Sequence, residues 1–206
     1  MTETKAQESR PYHHGDLRRA LIEAARRLLE TEGPAALSLR ATAREAGVSP
    51  AAPYHHFKDK SELLQAVADE GWTNVANAIT EALETTPAEE QRTAIFLAYV
   101  RFARAQPALY QIMFEAVRNK ETLPLHDAPG EHDAYNRVRK TFMRESGEAD
   151  ATDVELSITA AWCAAHGLAE MAGFRQFDVL KAQLGGELPF LDAVLHHLGL
   201  HRTSQN

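Results

Sequence analysis

Apolar residues recur at helical spacing along nearly the whole chain, and no stretch shows the period-two alternation that a half-buried strand needs. Leu17, Ala20, Leu21, Ala24, Ala25, Leu28 and Leu29 form the first stripe, which Asp16 can cap and Gly33-Pro34 stops. A short helix is predicted from Ser38, a good N-cap residue, to Ala46. Gly47-Val48-Ser49 breaks it, and Gly47 suits a tight turn of positive φ. A second short helix follows from Pro50 to about Phe57. Asp59-Lys60-Ser61-Glu62 is a capping box, opening a longer helix through Leu63, Leu64, Val67 and Trp72 to about Leu83.

Thr85-Thr86-Pro87 marks a boundary. Thr86, Pro87 and Glu89 form another cap with proline at the first helical position, and the helix they open runs to about Gln106. Pro107 begins the next, through Tyr110, Met113, Phe114 and Val117. Pro124, Pro129 and Gly130 make residues 121–130 a loop, followed by a helix from Glu131 to Glu145. Thr152 and Glu155 cap a helix rich in small residues that reaches about Phe174. Gly185-Gly186 separates it from a last helix, Pro189–Leu198. The pattern predicts an all-α fold, divided into an arm at 1–11, a head at 12–60, a connecting helix at 61–84 and a body at 85–206.

Charge changes the picture only when it is resolved along the chain. The net charge of −7 argues against nucleic acid, yet residues 1–60 hold ten Lys/Arg against eight Asp/Glu, and the rest twelve against twenty-one. An acidic chain with a mildly basic end fits a protein whose one end meets phosphate. Cys163 is alone, so no internal disulfide forms, which suits a reducing cytoplasm. The first residues lack the apolar core of a secretory signal, and no run approaches the ~18 apolar residues of a membrane span. A cytoplasmic location with no membrane partner is expected.

The segment from Ser38 to Leu64 carries the chemistry: helix, glycine turn, short helix, aromatic pair, capped helix. Two short helices joined by a tight turn make a helix-turn-helix, whose second helix lays its N-terminal residues against base edges in the major groove. Those residues are Pro50, Ala51 and Ala52, and alanine can lie close to a groove floor against a thymine methyl. Tyr54, His55 and His56 follow. Lys60 sits at a helix N-terminus, which attracts phosphate in its own right.

Leu37-Ser38-Leu39-Arg40, Ala43 to Pro50, and Tyr54 to Leu64 resemble the TetR family of bacterial regulators over residues 12–64. Trp162, His166 and Gly167 are similar to the W-H-G signature of one C-terminal class in that family. The resemblance implies an all-α homodimer with a three-helix DNA-binding head and a C-terminal domain for ligand binding and dimerisation. Position by position, it implies phosphate contacts from Tyr54 and Lys60 and backbone contacts from Ser38 and His56. It puts Arg40 on a base or phosphate, and Ala51, Ala52 and His55 toward the groove. The chain departs from the pattern at Pro53, inside the recognition helix, and at Thr42, where the family is usually aliphatic. The Thr42 hydroxyl is expected to bond back to the chain. Arg10, in the arm, is placed evenly between minor-groove contact and solvent.

Phe57 reads as head core, and Tyr54 as a packed ring with an outward hydroxyl. Arg18, Arg19, Arg26 and Arg27 read as a solvated face. His166 lies four residues after Trp162, on one helix face. It is either a buried histidine bonded to a neighbour or a polar anchor in an apolar pocket. Phe96, Tyr99, Tyr110, Phe114, Trp162 and His166 are the candidate ligand residues, with Met113, Tyr135 and Phe142 as further walls. Any of them can equally be filled core. The histidines His13, His14, His126 and His132 form no ligand set, and although His197 and His201 have metal-like spacing, His201 falls past Gly199. No metal or cofactor is expected.

Ala160, Ala161, Ala164, Ala165, Gly167 and Ala169, with Leu191, Val194, Leu195 and Leu198, form a candidate dimer interface or an intramolecular one. Two heads would read half-sites ~34 Å apart. The expected function is a homodimeric repressor, released from a near-palindromic DNA operator by a small apolar or aromatic effector. An activator and a ligand-independent regulator remain open. A helical carrier or enzyme finds no phosphate loop, nucleophile elbow or metal motif to support it.

Overall fold

The computed structural model describes residues 14–117, 131–146 and 150–198. The arm at 1–11 with Arg10, then His13, the loop at 121–130 with His126, and His201 lie outside them. The described residues are helical throughout and contain no strand, in nine α-helices and three 3₁₀ turns. They fall into two compact units divided between Val67 and Ala68.

The first unit holds α1 (His14–Glu32), α2 (Leu39–Glu45), a 3₁₀ turn (Ala52–His55) and the start of α3 (Lys60–Thr85). The α1 stripe is spent on packing: Leu21, Ala24, Ala25, Leu28 and Leu29 are buried with Leu37, Leu39 and Phe57. Helix α1 is already under way at His14, so Asp16 falls in the first turn and not at the cap. Helix α2 begins as its sequence predicts, with Ser38 Oγ accepting from Ala41 N at 3.1 Å. It ends in a Schellman motif: Gly47 (φ +70°) donates to Arg44 O, and Val48 N to Ala43 O. Asp59 Oδ1 accepts from Glu62 N at 3.0 Å, and the Glu62 carboxylate reaches back to Lys58 N, so the box at α3 closes one residue wider than the usual form.

Two expectations for this unit fail. The helix expected over 50–57 is a 3₁₀ turn. Pro53 has no N–H, so the Ser49 carbonyl cannot be served from four residues on, and it accepts from Ala52 N at 3.0 Å. The Thr42 hydroxyl, fully buried, makes no hydrogen bond among the described residues.

The second unit contains the remainder of α3, a 3₁₀ turn (Ala88–Glu90), α4 (Gln91–Ala105), α5 (Pro107–Val117), α6 (Glu131–Ser146) and α7 (Ala151–Met171). A 3₁₀ turn (Arg175–Phe177), α8 (Asp178–Leu184) and α9 (Glu187–His197) complete it. Helix α4 is central, packing on α5, α6, α7 and α9. Gly71 lets α5 approach α3 closely, since a Cβ there would meet Met113 Sδ at 2.6 Å.

Three boundaries differ from expectation. Pro87 takes the cap position itself, without a side-chain bond, and leads into the 3₁₀ turn before α4. Asp150, not Thr152, caps α7 by accepting from Asp153 N at 2.9 Å, because a carboxylate just outside the helix reaches the open N–H groups and a threonine inside does not. Glu155 is instead bound to Tyr135 and Arg139 of α6. Helix α7 stops at Met171, and residues 175–184, which carry no clear stripe, form the 3₁₀ turn and α8.

The α9 stripe is turned inward. Leu191 and Leu195 are buried within the unit, because α9 lies on α4 and α8. The outer apolar surface is made instead by Leu156, Met171, Phe174, Val179, Leu184, Leu188 and Leu198.

Candidate nucleic-acid interface and ligand cavity

The 3₁₀ turn sorts its side chains by the same geometry that shortens it. Pro53 points inward with Phe57, whereas Ala51, Tyr54 and His55 are exposed, and Ala52 and His56 are half-buried. Tyr54 leaves 54% of its surface open, so its ring is only partly packed. Ser38 and Arg40, at the start of α2, are exposed too. Lys60, exposed at the N-terminus of α3, gives one of its three donors to Pro34 O at 3.1 Å. The basic residues of α1 are not all idle: Arg27 pairs with Glu45 of α2 at 2.9 Å, and the Arg18 guanidinium lies 5.3 Å from the Phe57 ring centre. The face so formed carries methyls, a phenol, an imidazole and cations, over a filled apolar base.

The second unit holds a cavity of about 80 Å³. Helices α4 and α7 line it with the same i, i+3, i+4, i+7 stripe. Helix α4 contributes Arg92, Ile95, Phe96 and Tyr99, and α7 contributes Ile158, Ala161, Trp162 and Ala165. Helix α6 adds Ala134, Tyr135, Val138 and Phe142, and Ile79 of α3 completes the wall. Behind the Tyr99 end runs a polar chain. The Tyr99 and Tyr110 hydroxyls share a hydrogen bond at 3.0 Å and the Tyr110 hydroxyl is hydrogen-bonded to His166 Nδ1, with the Tyr99 oxygen itself 3.4 Å from that nitrogen. Phe114 packs on the His166 ring (4.4 Å) and on Trp162 (6.1 Å). Trp162 Nε1 leans toward the Tyr99 hydroxyl without reaching hydrogen-bond geometry.

Burial pushes the Tyr99 hydroxyl far above the ordinary phenol range, and the neighbouring Tyr110 adds to it. Burial likewise raises Tyr110 to about 12. Tyr135 is pushed up to about 12, first by burial and then by its hydrogen bond to Glu155 and that residue's charge. All three are neutral hydrogen-bonding groups at ordinary pH.

The six residues read from sequence as ligand contacts therefore form one cluster in two layers. Phe96, Tyr99 and Trp162 face the cavity, and Tyr110, Phe114 and His166 stand behind them. Sequence reasoning passed over Ile79, Arg92, Ile95, Ala134, Val138 and Ile158, and read Ala161 and Ala165 as part of a helix interface instead. Stepping three, four and seven residues back from Tyr99 finds Phe96, Ile95 and Arg92, and the same rule around Trp162 finds the α7 wall. Among the described residues, no three His, Cys, Asp or Glu side chains gather to hold a metal, and no helix is long and apolar enough to cross a membrane.

These features have relatives. Residues 21–67 match the family model of the tetR family of bacterial regulatory proteins, and residues 92–196 match that of the tetracyclin repressor-like C-terminal domain. The solved structure of a protein of unknown function from Rhodococcus sp. RHA1 is 32% identical, over 90% of this chain and 98% of that one, with a TM-score of 0.63. The TetR family transcriptional regulator PfmR from Thermus thermophilus is 22% identical, over 91% and 96%, with a TM-score of 0.58. The fatty acid degradation regulator FadR from Bacillus halodurans is 16% identical, over 97% and 100%, with a TM-score of 0.61. At the identities of the last two, the likeness is one of fold.

Proposed function

Because the chain belongs to the TetR family, and is therefore a DNA-binding transcription regulator, we propose that it acts in the cytoplasm as a homodimeric repressor that a small, largely apolar effector releases from its operator. The observation that carries this reading is the lined cavity in the same chain as an exposed reading turn. A core meant only for stability fills such a space, because an empty one forfeits dispersion contacts.

On this reading Ala51, Ala52 and His55 enter the major groove, while Ser38, Arg40, Tyr54, His56 and Lys60 hold the sugar-phosphate rails. The outer apolar residues of α7, α8 and α9 form the dimer contact, and two heads then read the two halves of a near-palindrome. The effector binds better to a conformer whose heads are wrongly spaced, and so draws the population off DNA. Helix α3, continuous across the division at Val67, is the covalent link through which a coupling of ~1–3 kcal/mol can act.

The test is fluorescence anisotropy with DNA from upstream of the protein's own gene, alongside light scattering. The reading expects a dimer and a specific complex that weakens steeply between low and moderate salt. Tyr54→Ala and Lys60→Ala should each weaken it at least about tenfold, judged by the ~1.5–3 kcal/mol of a charge-assisted contact. A monomer, or a complex indifferent to both substitutions and to sequence, would end the proposal.

A further inference from the structure

We propose that the reading turn identifies thymine by its methyl group, through the apolar tip Pro50-Ala51-Ala52, and that this contact places a thymine in each half-site of the operator. This rests on the DNA-binding reading above and deepens it to a base and an atom. The inner side of the turn is committed to the head, where Pro53 and Phe57 are buried. Pro50 and Ala51 are exposed and Ala52 is half-buried, which leaves a pyrrolidine ring and two methyls standing out. None of these side chains can donate or accept a hydrogen bond. The backbone adds little. Pro50 and Pro53 have no N–H, the Ala52 N–H is given to Ser49 O at 3.0 Å, and the Tyr54 N–H to Ala51 O at 3.2 Å.

Base pairs in a major groove differ in their donors and acceptors, and in one apolar feature, the C5-methyl of thymine. A tip without polar side chains cannot use the pattern of donors and acceptors. The Ala51 N–H finds an acceptor on guanine, adenine and thymine alike, so it separates these bases poorly. The methyl is different, because burying it between the proline ring and the alanine methyls removes apolar surface from water on both sides. Size acts in the same sense. Alanine lets the backbone of the turn come close to the groove floor, where a longer side chain would hold it off. Ser49, Tyr54 and His55 beside the tip, and Arg40 on α2, are exposed polar groups outside it, suited to phosphates and neighbouring pairs.

The experiment begins with operators that the full-length protein selects from a random duplex pool. Each thymine of a selected operator is then replaced singly by deoxyuridine, which removes the methyl and keeps both the pairing and the O4 acceptor. Affinity is read by fluorescence anisotropy at one salt concentration. A thymine in each half-site should lose about fourfold, the fold-change that goes with one methyl kept from burial. At that position a 5-methyldeoxycytidine pair should be bound about fourfold more tightly than an unmethylated deoxycytidine pair, which separates the methyl from any effect of thymine on duplex shape. Ala51→Gly combined with Ala52→Gly should bring thymine and deoxyuridine at that position to near equality. Operators in which every thymine can become deoxyuridine without loss overturn the inference while DNA binding stands, and this comparison needs no variant to fold. A preference for the methyl that survives both glycines overturns it as well. A protein that selects no sequence from the pool removes both the inference and the reading beneath it.

Discussion

The two units use the same raw material in opposite senses. The head puts its apolar residues inside and its polar chemistry outside: Phe57 and Leu29 are 1% exposed, while Tyr54, His55 and Lys60 face out. The body turns polar groups inward, with Tyr99 and Tyr110 only 4% and 3% exposed and bonded to His166, beside a space that its side chains do not fill. A surface that meets a fixed partner such as a duplex needs a rigid base, and a filled core supplies one. A site that admits a small molecule must keep volume open, and its polar groups then satisfy one another until a ligand arrives.

If that contrast is right, the same truncation has different consequences in the two units, and this is the largest effect expected. Phe57→Ala opens a new void under the 3₁₀ turn and should cost about 3–5 kcal/mol. Phe96→Ala removes a ring that already faces the cavity, so fewer contacts are lost, and the cost should fall at or below about 3 kcal/mol. The units need not unfold together, so amide hydrogen exchange followed within each is the proper measurement. Equal losses would mean that the cavity is closed in solution.

Tyr110→Phe comes next. It removes the hydroxyl in the middle of the Tyr99–Tyr110–His166 chain and should cost about 1–2 kcal/mol. It also tests the pH dependence of the body. In the unfolded chain a tyrosine ionises near pH 10, whereas Tyr110 in the fold holds its proton to about 12. Above pH 10 the unfolded state binds fewer protons than the native one, so stability that is fully present below pH 10 is lost as pH rises through 12. Tyr110→Phe should make that decline shallower in urea midpoints taken from pH 9 to 12. An unchanged slope would assign the alkaline loss to other groups.

The head was the more legible half, for a physical reason. Its signals are local: a serine three residues before the N–H it caps, a glycine where φ must be positive, an aspartate and a glutamate spaced to close α3. Each acts within one turn, so spacing alone identifies it. The 3₁₀ form of the reading turn was missed even though Pro53 was noticed, because losing one N–H near a first turn costs little in a long helix but decides the form of a four-residue one. In the body, Phe96, Tyr99, Trp162 and His166 could be named as candidate ligand residues, Trp162 and His166 through their shared helix face. Which of them face open space was not legible, since an unfilled volume is set by residues far apart in sequence. Arg92 was passed over because a charged residue in a helix reads as solvent-facing. The Leu191–Leu195 stripe was ambiguous for a similar reason, as intramolecular and intermolecular burial need the same spacing.

The smaller effects sharpen the contrast through caps. Ser38→Ala removes the bond to Ala41 N and should cost about 1 kcal/mol in the head. Asp150→Ala removes the equivalent bond to Asp153 N in the body and should cost about as much there. Only the first should also weaken operator binding, because of the two only Ser38 belongs to the proposed reading face. If Asp150→Ala weakened DNA binding equally, the caps would be acting through global stability and not through contact.

The smallest expected change is a gain. Thr42 sits fully buried on α2 with a hydroxyl that makes no hydrogen bond among the described residues. Valine has nearly the same shape, the same stiff branching at Cβ and a similar helix propensity, so Thr42→Val alters little except that hydroxyl. Replacing an unsatisfied buried polar atom by a methyl should stabilise the head by up to about 1 kcal/mol. The outward face is untouched, so operator affinity should stay within twofold, and exchange in the body should not move. A loss of head stability on Thr42→Val would show that the hydroxyl has a partner in solution, and that the head interior is less strictly apolar than the contrast with the body requires.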